Sequence, residues 1–393
     1  MAEQYDVVVV GAGIHGAGCA QAAAAAGHSV LLLEQRAIAC GSSSRSSKLI
    51  HGGLRYLESG QFRLVRESLH ERTHLLRLAP TLVHLKRFYI PIYRHTRRRP
   101  WQLRIGLTLY ALLAGLDPTA RFGTVPRSEW RTLDGLDTRG LQRVFWYHDA
   151  QTDDRLLTEA VVKSAQSLGA QLRLPAEFVG ATLGESGAVI RWRDDSQREQ
   201  QCEARVLINA AGPWADRVAR LITPRIGVPQ LQLVRGTHLI LPGSLTQGIY
   251  YVESPRDGRA IFVMPWHGDT LLGTTEAAHH GDPGAVVPSP SEINYLLGIA
   301  KHYFPRWRPL GQSDLKGLFA GLRVLPGGPG HAFHRSRETL LVPERAQRPR
   351  VLSIYGGKLT TWRAVAARAL AQVAPSLPPR SARADTLQLR LEP

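Results

Sequence analysis

Cysteine is scarce in this chain, which has 3 cysteines among 393 residues. Cys19, Cys40 and Cys202 form neither a CxxC pair nor a Cys/His cluster with the spacing of a zinc site, so we expect no bound metal. Three thiols also cannot form a disulfide scaffold. The composition therefore favours a reducing compartment, and we expect a cytoplasmic protein.

The sequence also lacks the features of a secreted or membrane-spanning chain. It begins Met-Ala-Glu-Gln-Tyr-Asp, without the basic segment that opens a signal peptide. Residues 7–33 are strongly apolar, but glycines separate a β-branched run from an alanine-rich run. This pattern predicts a buried strand, a glycine turn and a packed helix rather than a membrane span.

Acidic residues are outnumbered, with 32 Asp and Glu against 49 Lys and Arg and a formal net charge of +17. Such a surplus favours an anionic partner, which could be a nucleic acid, an acidic membrane surface or a phosphorylated metabolite. We expect no nucleic acid, because the basic residues belong to no recognisable nucleic-acid-binding module. The charge alone does not choose between the other two partners.

A glycine motif of the form GxGxxG occupies residues 11–16. It follows a β-branched strand predicted at 6–10 and opens an alanine-rich helix predicted at 14–27. A second strand comes next, and the acidic residue Glu34 stands at its end. The motif, the strands, the helix and the acidic residue together predict a βαβ unit that binds an ADP-containing dinucleotide.

The residues of this unit have distinct expected roles. Gly11 permits the tight turn, Gly13 lets the backbone approach the pyrophosphate, and Gly16 allows the helix to pack closely on the strand. The N-terminus of the helix offers free N–H groups to the phosphates. The Glu34 carboxylate is expected to accept hydrogen bonds from the ribose hydroxyls.

The layout after Glu34 favours FAD over NAD as the dinucleotide. The alternation of strands and helices stops there, and a serine-rich loop at 42–47 follows. Strand patterns separated by turns at 230–275 predict a mostly antiparallel sheet. Further glycine elements occur near Gly212 and Gly357. A long cofactor that several separated segments contact is more typical of FAD.

We therefore predict a mixed α/β and α+β fold with two domains and a short tail. The first is a Rossmann-like FAD-binding domain and the second is an antiparallel-sheet substrate domain. The predicted segments are 1–80, 150–225 and 310–375 for the FAD-binding domain, 81–149 and 226–309 for the substrate domain, and 376–393 for a loosely ordered tail.

The stretch SSKLIHGGLRYL at residues 46–57 resembles the signature of the FAD-dependent, quinone-linked glycerol-3-phosphate dehydrogenases. The resemblance covers nearly all of residues 5–374. Further segments that agree with this family, in the same order along the chain, are residues 209–214, 235–238, 265–266, 273–275, 292–297 and 355–361.

The resemblance implies oxidation of sn-glycerol 3-phosphate to dihydroxyacetone phosphate, with electrons passed to a quinone. It also implies a cationic pocket in which Arg55, Arg323 and Lys358 anchor the substrate phosphate, with the Tyr56 hydroxyl beside them. Arg323 and Lys358 are also candidate catalytic residues. The residues expected to contact FAD, besides the glycines of the motif and Glu34, are Ile14, His15, Ser46, Ser47, Lys48, Gly212, Gly357, Lys358, Leu359 and Thr360.

Two histidines are candidates for the general base, because histidine titrates near neutral pH. They are His51 and His238. Each could instead be a packed or cofactor-contacting histidine. A helix that begins near Lys358 is expected to direct its positive end at the flavin N1/O2 edge and to stabilise the reduced flavin.

A basic cluster, Arg97-Arg98-Arg99, precedes Trp101 and an apolar run at 103–116. This pattern suits docking on an acidic membrane surface, so the protein could be peripheral on the cytoplasmic membrane face. Two other interpretations are a core helix with a solvated basic end and a basic entrance that steers a phosphorylated substrate.

The chain also departs from the family it resembles. Family members typically continue for more than a hundred residues into a helical C-terminal domain, whereas this sequence stops at Pro393. Glu276 and Val324 stand where Asp and Pro are usual. The alternatives left open are an oxidase or dehydrogenase of another 2-hydroxy acid or amine, and a flavin-binding partner subunit without independent turnover. The electron acceptor and a homodimeric state also stay open.

Overall fold

Two β-sheets organise the chain, whose computed structural model describes residues 3–327 and 339–393. The strands are β1 (Glu3–Val10), β2 (Val30–Leu33), β3 (Leu49–Ile50), β4 (Val83–Tyr93), β5 (Phe122–Thr124), β6 (Leu141–Thr152), β7 (Gln171–Arg173), β8 (Glu177–Leu183), β9 (Ala188–Arg193), β10 (Glu199–Asn209), β11 (Ile222–Thr223), β12 (Leu231–Leu241), β13 (Ile249–Glu253), β14 (Ala260–Trp266), β15 (Asp269–Gly273), β16 (Ala277–His279), β17 (Gly317–Pro326), β18 (Leu340–Pro343) and β19 (Val351–Tyr355). The helices are α1 (Ile14–Ala25), α2 (Phe62–Leu78), α3 (Pro100–Leu113), α4 (Asp154–Ser167), α5 (Ala215–Arg220), α6 (Pro290–Tyr303) and α7 (Trp362–Val373).

The first sheet is parallel at its centre, where β7, β2, β1, β10 and β19 lie side by side. Strand β1 is apolar on both faces because both are covered. Val7 and Val9 face a core shared with α1, α4 and α7. Val8 and Val10 face a second core closed by Trp192 and its neighbours on β8 and β9. This arrangement confirms the predicted Rossmann-like α/β architecture.

The second sheet has the order β16-β12-β15-β14-β13-β4-β6-β3, with β17 paired to β12 and β5 to β6. Its neighbouring strands are antiparallel except for β13 and β4. Helix α6 packs on one face, where Leu296 and Ala300 share a hydrophobic core with Leu239 and Val252 of the sheet. Helices α2 and α3 pack on the other face. The predicted antiparallel sheet is therefore present, and it presents β12 and β17 to the first sheet.

The polar stretch 146–154 is mostly the end of strand β6. Its polar side chains are tolerated in the interior because they have charged or hydroxyl partners. The buried Asp149 carboxylate accepts hydrogen bonds from Arg72 Nη1 at 2.7 Å and from Tyr110 Oη at 2.7 Å. A buried strand can therefore carry a polar sequence where neighbouring elements supply the partners.

The segment 310–375, predicted as part of the FAD-binding domain, contributes strands to both sheets. Strand β17 pairs with β12 of the second sheet, whereas β18 and β19 join the first. Residues 328–338 of this segment lie outside the described part of the chain. The domain boundaries themselves remain a prediction.

The C-terminal tail is packed rather than loosely ordered. Within residues 377–393, all of them described, there is no helix or strand. The Arg383 N–H nevertheless donates to the carbonyl of Ala25 in α1 at 2.7 Å. Arg380 Nη2 lies 3.1 Å from an Asp6 carboxylate oxygen, and the buried Leu391 donates its N–H to the Leu78 carbonyl at 2.8 Å. Its Pro, Ser and Arg composition suggested disorder, but these side-chain and backbone contacts hold it.

Across residues 3–327 and 339–393, no helix is both long and apolar enough to cross a membrane. The apolar stretch 7–33 is divided into β1, the glycine turn, α1 and β2, as predicted.

Candidate functional site

A cavity of about 620 Å³ lies between the two sheets. Its wall includes the carboxyl ends of β1, β2 and β10, which is where open α/β sheets bind their ligands. The serine-rich loop, the turn before α7 and strands β12 and β17 complete the wall. The volume is in the range of sites for small molecules and cofactors.

The glycine turn at one end of this cavity leaves backbone exposed without side chains. Gly11 has φ +100° and donates its N–H to the Leu33 carbonyl at 2.8 Å. A Cβ atom on Gly16 would overlap the Gly11 carbonyl oxygen, so α1 can start this close to β1 only because residue 16 is glycine. Gly13 is the N-cap of α1 and lines the cavity. The predicted roles of these glycines are consistent with this geometry.

Glu34 follows β2 and lines the same end of the cavity. Its carboxylate accepts hydrogen bonds from the backbone N–H groups of Ala12 and Arg36, each at 2.9 Å. These bonds hold the carboxylate beside the glycine turn, which is the position expected of an acidic residue that binds ribose hydroxyls. On the other side, Ser43 Oγ accepts the Ile14 N–H at 2.9 Å and connects the serine-rich loop to α1.

Lys48 was predicted to contact the cofactor, but the structure places its side chain elsewhere. Its side chain is buried and does not line the cavity. Its Nζ lies 2.5 Å from Asp154 Oδ1 and donates to the Ser44 carbonyl at 2.6 Å. Lys48 therefore fastens the serine-rich loop to the start of α4, because a buried ammonium needs a charged partner. Ser46 and Ser47 line the cavity, and their contact with the cofactor stays a prediction.

His15 and Gly357 join α1 to the turn before α7. A Cβ atom on Gly357, which has φ +104°, would overlap His15 Nε2. Burial, and to a lesser extent the charge of Arg368, lower the pKa of His15 to about 4. The imidazole is therefore neutral near pH 7. Its Nδ1 is buried and has no hydrogen-bond partner among the described residues.

The turn before α7 brings further predicted residues to the cavity. Lys358, Leu359 and Thr360 line it, as does Gly212 across from them. The α-helix itself starts at Trp362, after a 3₁₀ turn at Leu359–Thr361. The predicted start of the helix near Lys358 is therefore four residues early.

The cationic side chains predicted to bind substrate meet at the other end of the cavity. Arg55 lies on a 3₁₀ turn that follows β3, Arg323 lies on β17, and Lys358 follows the turn after β19. Lys358 Nζ lies 3.9 Å from the centre of the Tyr56 ring and donates to Ser68 Oγ at 3.2 Å. Residues far apart in sequence thus form one cluster.

Two residues of this cluster were not assigned a role from the sequence. Glu276 Oε1 lies 3.3 Å from Arg323 Nη1 and 4.0 Å from Arg55 Nη2. Arg259 also lines the cavity, and its Nη1 donates to the Glu276 carbonyl at 3.2 Å. The only sequence signal was the acidic residue after Gly-Thr-Thr, noted as a departure from the family pattern.

The two candidate bases have different surroundings. His238 is buried, stacks on Phe319 with 4.8 Å between ring centres, and its Nε2 lies 3.0 Å from Ser47 Oγ. Burial, followed by the charges of Arg323 and Lys48, holds the pKa of His238 well below its usual range. A neutral imidazole can accept a proton. His51 also lines the cavity, and its backbone N–H donates to Thr360 Oγ1 at 3.1 Å.

These residues fit an ADP-containing cofactor. A bare glycine backbone, a helix N-terminus and a held carboxylate occur together at one end of the cavity, as a pyrophosphate and a ribose require. The neutral His15 ring adds one buried polar atom, Nδ1, at the same wall. The cationic cluster lies at the other end.

Comparisons with known proteins agree with this fit. A family model described as FAD dependent oxidoreductase matches residues 6–372. The aerobic glycerol-3-phosphate dehydrogenase of Escherichia coli (strain K12) is 35% identical over 383 residues, which are 95% of this chain and 74% of that protein. The D-erythritol 1-phosphate dehydrogenase of Brucella abortus (strain 2308) is 34% identical over 374 residues, which are 94% of this chain and 73% of that protein.

A solved structure is also similar. It is the glycerol-3-phosphate dehydrogenase from Bacillus halodurans complexed with FAD, with a TM-score of 0.74 and 26% identity, covering 99% of this chain and 68% of that one. The fold, the cavity lining and the similar proteins all indicate an FAD-dependent oxidoreductase. The chain belongs to the FAD-dependent oxidoreductase family, among the glycerol-3-phosphate dehydrogenases and their relatives, and FAD is its cofactor.

Proposed function

We propose that this enzyme oxidises sn-glycerol 3-phosphate to dihydroxyacetone phosphate. The observation that carries the proposal is the cluster of Arg55, Arg323 and Lys358 in the wall of the cofactor cavity. Arg55 and Arg323 both contact Glu276, and Arg55 and Lys358 both lie near the Tyr56 ring. A phosphate monoester carries a charge near −2 at neutral pH, and guanidinium groups bind it with paired hydrogen bonds. Relatives named for glycerol 3-phosphate and D-erythritol 1-phosphate support a polyol phosphate as the substrate class.

The chain's own residues would orient the substrate and accept its proton. Arg55 and Arg323 would hold the phosphate and leave the carbinol toward the cofactor end of the cavity. Bound FAD supplies the hydride acceptor. A neutral histidine would accept the hydroxyl proton, and the neutral His238 and the cavity-lining His51 both remain candidates.

A spectral titration of the purified, FAD-loaded enzyme under anaerobic conditions tests this proposal. We expect glycerol 3-phosphate to bleach the flavin absorption bands, because hydride transfer reduces the flavin. Glycerol, which lacks the phosphate, should require a concentration about 10³-fold higher, since charged hydrogen bonds contribute about 1.5–3 kcal/mol each. An unchanged spectrum in excess glycerol 3-phosphate, with dithionite still bleaching the flavin, would contradict the assignment.

The alternative activity is oxidation of another 2-hydroxy acid or an amine. The same anaerobic spectral titration, with such a compound in place of glycerol 3-phosphate, tests it. Reduction of the flavin by such a compound, but not by a polyol phosphate, would favour it. Release of hydrogen peroxide in air would distinguish an oxidase from a dehydrogenase.

We further propose that the electrons pass to a quinone. A second cavity of about 550 Å³ adjoins the first beneath α3. Leu57, Leu103 and Gly106 give part of its wall an apolar character. The rest of the wall is largely charged, so the apolar part is the place where a lipid-soluble acceptor would approach the cofactor cavity. The residues that line both cavities are Leu54, Arg55, Tyr251 and Arg259.

Filling the second cavity should impair the quinone reaction selectively. Gly106 lies in α3, and a side chain there would enter open space at the cavity wall. We expect Gly106→Leu to lower the ratio of quinone reduction to dye reduction at least about fivefold, because a small soluble dye does not need an apolar pocket. Steady-state assays with both acceptors measure the ratio.

Gly298→Leu is the matched control for this variant. Gly298 also lies in a helix with open space around it, and it lines neither cavity. The control should keep the wild-type ratio. Equal ratios of quinone reduction to dye reduction in Gly106→Leu and the wild type would show that the second cavity is not the quinone site.

We also propose that α3 docks on an acidic membrane surface. Its outer side exposes apolar side chains, with Trp101 65% and Ile105 59% exposed. Of the three predicted basic residues, Arg98 is not available for lipid, because it pairs with Glu58 and Glu253. The exposed arginines beside this surface are Arg94, Arg97, Arg99 and Arg104. An apolar stripe flanked by arginines suits anionic lipid.

Removing the apolar stripe should weaken membrane binding. We expect the double variant Trp101→Ser, Ile105→Ser to bind vesicles containing phosphatidylglycerol at least about tenfold more weakly, because each buried apolar side chain contributes about 1.5–3 kcal/mol. Co-sedimentation measures the binding. Val287→Ser, at an equally exposed apolar position away from α3, is the control and should bind as the wild type does. Unchanged binding of the double variant would reject this surface.

A further inference from the structure

An arginine held by two carboxylates lies outside the cofactor cavity, beside the turn that carries Arg55. Arg98 donates from Nε and Nη2 to the two carboxylate oxygens of Glu58, with Nη2 at 2.9 Å, and from Nη1 to Glu253 Oε2 at 2.7 Å. Its side chain is only 18% exposed. These three residues form what we call the Arg98 bridge. A guanidinium that binds a carboxylate with paired donors fixes both the distance and the direction between two segments.

One end of the Arg98 bridge is fixed to the second sheet. Glu253 is the last residue of β13, and its Oε1 accepts the Arg97 N–H at 2.5 Å. The buried Thr96 hydroxyl lies 3.2 Å from the Arg98 carbonyl oxygen and 2.9 Å from that of Tyr93, the last residue of β4. The backbone of residues 96–98 is therefore attached to the ends of two neighbouring strands.

The other end of the bridge holds the turn that places Arg55 in the wall of the cofactor cavity. Glu58 is the C-cap of the 3₁₀ turn Leu54–Leu57, and its N–H donates to the Arg55 carbonyl at 3.2 Å. Gly53, with φ +82°, precedes this turn. Because a glycine backbone has many accessible conformations, the orientation of the turn depends on contacts with neighbouring elements. The pairing of Arg98 with Glu58 is such a contact.

We propose that Arg98 is a positioning residue for substrate binding, because it holds Arg55 in the orientation that binds the substrate phosphate. Arg98 does not line the cofactor cavity, so it acts through Glu58 and the turn rather than on the substrate itself. The inference rests on the proposed oxidation of glycerol 3-phosphate, with Arg55 as a phosphate anchor. A binding group displaced by about 1 Å loses much of its effect.

Arg98→Met should weaken substrate binding and leave the chemical step nearly unchanged. Rapid mixing of the FAD-loaded enzyme with glycerol 3-phosphate, without oxygen or quinone, gives the Kd and the limiting rate of flavin reduction separately. We expect the Kd to rise about tenfold and the limiting rate to change less than about threefold, because Arg55 binds the phosphate and not the reacting carbon. Arg98→Lys keeps the charge but not the paired donors, so its Kd should lie between those of Arg98→Met and the wild type.

Arg350→Met is the matched control for the loss of a partly buried ion pair. The Arg350 side chain is 16% exposed, its Nε lies 2.8 Å from Glu344 Oε1, and it lines neither cavity. This variant should keep the wild-type Kd. If Arg98 had only a structural role, Arg98→Met would instead lower the FAD content, the Tm and the limiting rate, with the Kd unchanged.

A double-mutant cycle with Arg55→Met decides whether Arg98 acts through Arg55. In the Arg55→Met background, Arg98→Met should raise the Kd less than about twofold, because the residue that Arg98 positions is absent. An equal rise of the Kd in both backgrounds would overturn the inference, and so would a wild-type Kd in Arg98→Met.

Glu58→Ala breaks the same bridge from its more exposed end, where the Glu58 side chain is 52% exposed. We expect this variant to raise the Kd about fivefold, with the same dependence on Arg55, so it decides the inference if Arg98→Met does not fold. Failure of glycerol 3-phosphate to reduce the wild-type flavin would overturn the proposed function, and the inference with it. Normal reduction of the wild-type flavin with unchanged Kd values in the variants would overturn the inference alone.

Discussion

Replacing Arg323 with methionine is expected to lower kcat/KM for glycerol 3-phosphate about 10³-fold. A bidentate pair of charged hydrogen bonds contributes about 3–5 kcal/mol, and each 1.36 kcal/mol corresponds to a factor of ten. The loss is aggravated because Arg323 is also the nearer ionic partner of Glu276, at 3.3 Å against 4.0 Å for Arg55. Without Arg323, the Glu276 carboxylate would lose this partner.

Two further variants separate the effect of the planar guanidinium donors of Arg323 from the effect of its positive charge. Arg323→Lys keeps the charge but not the planar pair of donors, so it should lose about 10–100-fold. Arg256→Met makes the same change of net charge at an exposed residue that lines neither cavity, and it should behave as the wild type does. Steady-state rates normalised to bound FAD provide the comparison. A loss of less than tenfold in Arg323→Met would exclude Arg323 as the principal phosphate anchor.

The second large effect is expected at Gly16. A Cβ atom there would overlap the Gly11 carbonyl oxygen, and that backbone cannot retreat easily because the Gly11 N–H is bonded to Leu33 at 2.8 Å. Helix α1 must therefore move away from β1 in Gly16→Ala. Overpacking of this kind costs about 1–3 kcal/mol. Because the helix N-terminus is also the expected pyrophosphate site, we expect FAD affinity to fall about 10–100-fold.

FAD content after purification, an FAD titration of the stripped protein and a thermal melt measure the Gly16→Ala effect. Gly298→Ala serves as the control, since that helical glycine has open space and alanine should stabilise the helix by about 0.5–1 kcal/mol. Full FAD occupancy and a wild-type Tm in Gly16→Ala would show that α1 and β1 do not need this close approach.

Structural features that depend on residues close together along the chain could be predicted from the sequence. The glycine turn and α1 follow from residues 11–25, because a strand, a turn and a helix in succession have only a few ways to pack. The antiparallel strands between 231 and 273 lie within residues 230–275, where the strand patterns predicted them. Strand β6 was missed, since the residues that satisfy Asp149 come from α2 and α3.

The candidate site was predicted only in part. Arg55, Arg323 and Lys358 were assigned by resemblance to a family, and the structure places them along one cavity. Lys48 belongs to the same signature stretch, but its side chain points to Asp154. A motif specifies which residues are present, whereas the direction of each side chain depends on partners elsewhere in the fold.

The sequence by itself determined the dinucleotide-binding unit, because residues 11–16 and Glu34 act through local backbone geometry. Only the tertiary structure determined which charged side chains lie together at the end of the cavity that is expected to bind the substrate. The contact of Glu276 with Arg55 and Arg323 joins the segment between β15 and β16, strand β17 and a turn after β3. Charges separated so far along the chain interact only when the fold brings them within a few ångströms. The same reason applies to the packed tail and to Lys48, whose partners are distant in sequence and near in space.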